Sequence, residues 1–101
     1  MEEKEVERLE QVWKNDFALT YENRPRLCSL IRTCSLGIGE VEIEPGIMMT
    51  LVIIFARNEF QREWLENNVL HEMQDRFAEI AGLDNLMLSV ELEEDTPSAE
   101  K

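Results

Sequence analysis

At 101 residues the chain is long enough to bury one hydrophobic core and too short for two. Its hydrophobic fraction of 44% is ordinary, but a net charge of -12 is not, and such a field repels phosphate backbones and argues against direct contact with nucleic acid. No leader pattern opens the chain and its longest apolar run falls well short of the about 20 residues a membrane span needs, so the expectation is a soluble, cytoplasmic protein without membrane contact.

Residues 3–17 place Val6, Leu9, Trp13 and Phe17 at steps of three and four, one apolar stripe on a first helix. Asn23 is positioned to cap a second helix, because Pro25 is tolerated in a first turn where its missing N–H needs no partner. Leu27, Leu30, Ile31 and Cys34 form its buried stripe, and Gly37 and Gly39 are expected to end it and turn the chain. Cys28 and Cys34 then lie in one helix, where they cannot readily bond to each other, which suits a reducing compartment.

Residues 40–44, EVEIE, alternate in the manner of a half-exposed edge strand. Pro45 and Gly46 make a type II turn, Pro presetting φ and Gly accepting a positive one. Residues 48–55 are rich in β-branched side chains with no polar alternation, the signature of a strand covered on both faces and central in its sheet. Strands one and two therefore pair as a hairpin.

Asn58 and Gln61 have capping-box spacing, and Glu59 suits the positive end of the helix that follows. Residues 59–81 are helical by propensity, but Phe60 and Trp64 fall on one face while Val69, Met73, Phe77 and Ile80 fall on the opposite one. A straight helix would leave one set in water, so a break near Asn67 and Asn68 is expected. Gly82 is the natural stop. Residues 86–92 alternate again, and a strand reached by a helical crossover should lie parallel beside the second. Residues 1–93 thus form a single α+β domain of order ααββα(α)β with a three-stranded mixed sheet, and 94–101 have the composition of a disordered acidic tail.

Little in the chain points to catalysis. The carboxylates show no local acid and base pairing, no phosphate-binding glycine motif is present, and His71, Cys28 and Cys34 lack zinc-site spacing. No catalytic residue, cofactor or metal is expected. The basic residues are more suggestive: Arg24, Arg26 and Arg32 fall on the second helix, and Arg57 and Arg62 flank the start of the third. If those ends meet, they form a positive patch fit for an acidic partner segment, against the plainer reading of solvated arginines paired with nearby glutamates. Trp64, with Phe60, reads first as core and alternatively as an exposed anchor for a partner.

The segment WKNDFALTYENRPRLCSLI, the unit FARNEFQREWLENNVLHEMQDRF and the final LMLSVEL together resemble the KH-like domains of bacterial replication proteins. The resemblance is strongest to the C-terminal region of the DNA polymerase III gamma/tau subunit of the Bacteroidetes type, matched here by Asn58, Gln61, Glu63, Trp64 and Leu65. The N-terminal domain of the bacterial replication initiator ATPase, which contacts helicase and itself, is similar over the same stretch. What the first resemblance implies is a non-catalytic interaction domain tying the clamp loader to the polymerase III catalytic subunit. The ATPase module of gamma/tau is not present in this sequence. Where RNA-binding KH domains carry GxxG, this chain reads Glu66-Asn67-Asn68-Val69, which denies the backbone a close approach to a phosphate chain and sets a carboxylate against it.

Overall fold

The computed structural model describes residues 2–93; the expected tail at 94–101 lies outside the described residues. Helix α1 spans Glu3–Gln11 and runs without interruption into a π-helical segment, Val12–Phe17. The wider π turn sets Trp13, Phe17, Ala18 and Tyr21 all against the core, more than the straight apolar stripe of an α-helix would deliver. Helix α2 spans Pro25–Thr33. Its first turn is preceded by Arg24, with no side-chain cap, rather than by the expected Asn23.

Strand β1 spans Ser35–Glu44, twice the expected length, and follows α2 directly. The helix is ended by Cys34, already extended at φ -73 and ψ 153, and not by the glycines. Gly37 and Gly39 sit inside the strand. A Cβ at Gly37 would come within 3.3 Å of the Phe55 ring, so Gly37 makes room for the aromatic side chain that crosses it. Strand β2 spans Ile47–Ala56 and pairs antiparallel with β1, from Ser35 opposite Phe55 to Glu44 opposite Ile47, with a register shift between Glu42 and Glu44. Gly46 carries the positive φ of 82 that the turn requires, and its N–H donates to the Glu42 carboxylate at 3.0 Å.

Helix α3 spans Glu59–Asn68, and Asn58 Oδ1 accepts from the Gln61 N–H at 2.8 Å. Gln61 reaches back one residue further than a standard capping box, its Oε1 accepting from the Arg57 N–H at 2.9 Å. Val69, at φ -132 and ψ -9, breaks the helix where the opposed apolar faces required it, and α4 follows over Leu70–Ala81. Gly82, at φ 72, ends α4 in the left-handed conformation. Strand β3, Leu86–Leu92, lies parallel to β2, so the sheet order is β1-β2-β3 with β2 central.

Helices α1, α3 and α4 contact the sheet, and α2 packs on the π segment. Val52, Ile54 and Ala56 of β2 and Leu86, Leu88 and Val90 of β3 are buried beneath them with Leu9, Leu27, Ile31, Leu65, Val69 and Met73. At the centre, Trp13, Phe17, Tyr21 and Phe77 pack with ring centroids 4.8 to 5.4 Å apart, mostly edge to face. The Trp13 indole N–H donates to the Ile31 carbonyl at 2.7 Å, tying the π segment to the last turn of α2. The other sheet face differs from its expectation. Met49, Leu51, Ile53 and Phe55, read as buried, are only half-buried. Among the described residues no helix is long and apolar enough to cross a membrane.

Candidate docking groove

The groove between α2 and α3 is made by two local patterns meeting. Arg26, Ser29, Leu30 and Thr33 recur at helical spacing and present one stripe of α2. Opposite them, the cap that starts α3 fixes Arg57, Asn58 and Gln61. The result is a polar-walled cleft of about 690 Å³ lined by that stripe with Ser35, Phe55, Arg57, Gln61 and Glu93. A second hollow continues from it, sharing Arg26, Leu30 and Gln61 and lined also by Phe60 and Trp64.

Phe60 is 79% exposed and Trp64 41%, so the pair is not core, as its size first suggested. The break at Val69 turns α4 onto the core through Met73 and Phe77, and α3 buries only Leu65. Two aromatic rings thereby stay at the rim of the groove.

The six sequence-predicted site residues separate into distinct groups. Arg26 and Arg57 meet at the cleft, and their guanidinium groups make no ion pair among the described residues. Trp64 joins Arg26 in the adjoining hollow. Arg62 is on the same helix but already engaged: Glu59 and Glu66 both bind it, and the Glu59 carboxylate holds its pKa above the usual guanidinium value. Arg24 belongs elsewhere. It pairs with Glu72 at 3.5 Å and lies 5.8 Å from the Tyr21 ring centroid, with Arg76 at 5.0 Å from the same ring. Arg32 is exposed and lines neither hollow, since it sits about 200° around α2 from Leu30.

Ser29, Thr33 and Gln61 complete the cleft and were not among the candidates. The i, i+3, i+4, i+7 spacing of Arg26, Ser29, Leu30 and Thr33 was the available signal, masked by counting Leu30 as core; it is half-buried. Cys28 and Cys34 are free thiols, and burial pushes the Cys34 thiol pKa up, which makes it less reactive. Among the described residues no cluster of three or more His, Cys, Asp or Glu is arranged to hold a metal. Comparison with family models, with curated proteins and with solved structures found no match.

Proposed function

We propose that the chain is a non-catalytic, cytoplasmic protein-docking domain of the bacterial replisome, with the α2–α3 groove as its docking face. The observation that carries the reading is the exposed Phe60 and Trp64 pair near two arginines, Arg26 and Arg57, that make no ion pair among the described residues. Aromatic anchors surrounded by polar groups are the usual energetic centre of an interface. Arg26 and Arg57 add a local positive field on an acidic molecule, which selects a partner segment with carboxylates beside an apolar side chain. The resemblance of the Asn58 to Leu65 segment to gamma/tau supports the polymerase III catalytic subunit as that partner. The two free thiols suit a reducing cytoplasm.

Titration of the domain against the polymerase III catalytic subunit tests this. Binding at tens of micromolar or tighter is expected, weakened about tenfold or more by Trp64→Ala. Arg26→Glu and Arg57→Glu should slow association and reduce its salt dependence, while Arg24→Ala has a smaller effect because Glu72 already engages that side chain. No binding at these concentrations removes the partner; binding indifferent to Trp64 removes the groove. A duplex or single strand shifted at low salt and released by Arg26→Glu would turn the reading to nucleic acid.

A further inference from the structure

We infer that the open face of the sheet is a second docking surface and that its occupant is a basic amphipathic helix of a protein partner. The surface meets the α2–α3 groove at Phe55, which belongs to both, and does not depend on the groove's role. Alternation puts Met49, Leu51, Ile53 and Phe55 of β2 on this face, and cross-strand pairing adds Val41 opposite Met49 and Met87 opposite Leu51. Val41 is 41% exposed and Met87 46%, values that leave a continuous apolar strip in water where a monomer ordinarily shows scattered residues.

The dimensions fit one helix. From Ile47 to Phe55 the strip runs about 26 Å, the length of about 18 helical residues. The outer strands lie about 10 Å apart, close to a helix diameter of about 10–12 Å. Beside the β2 ridge the flanking positions are small: Gly37 and Gly39 on β1, Ser89 on β3. Nothing lies within 4 Å of where a Cβ at Gly39 would be, so a helix can settle close to the backbone there.

Charge chooses the kind of helix. Glu44 sits opposite Ile47 at one end of the strip and Glu91 opposite Phe55 at the other. No strand residue is Lys, Arg or His. Arg57 comes only after the strand ends, in the α2–α3 cleft that Phe55 shares, and Glu93 lines the same cleft. A second copy of this chain laid face to face would offer carboxylates to carboxylates, within two molecules that each carry -12. A helix with an apolar stripe and cations near both ends matches both the strip and its corners.

The probe is a dye-labelled 18-residue helix of leucine on one face and lysine on the other, titrated by fluorescence anisotropy at 0.15 M salt. Its counterpart carries glutamate in place of lysine. The lysine peptide should bind, the glutamate peptide should not, and Met87→Lys or Leu51→Lys should each weaken binding about tenfold or more. Met87→Lys alters an exposed side chain, so it remains informative if Leu51→Lys unfolds. Glu7→Gln, an equal change of charge on the exposed side of α1, should leave binding unchanged, as should Trp64→Ala in the groove. Equal binding of both peptides overturns the inference, as does wild-type affinity in both lysine variants. A wild-type dimer in sedimentation that Met87→Lys dissociates would make a second copy the occupant and overturn it as well.

Discussion

Tyr21 shows how one side chain can be well packed and still poorly satisfied. Its ring meets Phe17 edge to face with centroids 5.4 Å apart and carries Arg24 and Arg76 nearby, while its hydroxyl has no hydrogen-bond partner of acceptable geometry among the described residues. Burial first, and then the neighbouring Glu72 carboxylate, push the phenol up to about 12. The unfolded chain releases this proton near pH 10, so the folded state holds it more tightly. Stability from this group is complete below about pH 10 and is lost as pH rises from there to about 12. Urea denaturation of wild type and Tyr21→Phe across that window checks this: the alkaline loss should be smaller in the variant, while near pH 7 the two should differ little because an unsatisfied hydroxyl has been removed. The Arg24–Glu72 pair that frames the ring could not be read from local pattern. Arg24 precedes α2 and Glu72 lies on α4, 48 residues on, and only tertiary packing brings them within 3.5 Å.

Helix α3 depends on its first turn because it buries only Leu65 and leaves its aromatic residues in water. Asn58→Ala removes the acceptor for the Gln61 N–H and should destabilise the protein by about 1 kcal/mol, seen as a lower urea midpoint at unchanged m-value. This cap was legible in the sequence because its chemistry is local. So were β2, β3, the break after Asn68 and the Gly82 stop, each announced by residue type within a turn or two. The glycines were misleading in the other direction. Gly37 and Gly39 looked like terminators, yet Gly37 is small because Phe55 crosses it, a relation between paired strands that no single segment carries. The outer face was hidden for a similar reason: an unbroken apolar run reads as burial on two sides, whether the second cover comes from this chain or from another molecule. Half of the α2–α3 groove was accessible as a helical stripe on α2, but which arginines make no ion pair among the described residues depended on where the glutamates of α3 and α4 finally lie.

At the scale of the molecule, the central strand joins two pairings of very different reach. On one side β2 meets β1 across the Pro45-Gly46 turn; on the other it waits for a strand that arrives only after α3 and α4. Closing that second, long excursion loses more chain entropy before any contact repays it. Time therefore enters the architecture: the order expected from loop closure is the hairpin first and β3 afterwards. Stopped-flow chevrons should show Ile38→Ala, on the hairpin, slowing refolding, whereas Val90→Ala, at a buried β3 position, chiefly accelerates unfolding. Until β3 arrives, β2 has one bare edge and an open outer face, and the rate of β3 docking sets how long the most apolar stretch of the chain stays open to aggregation.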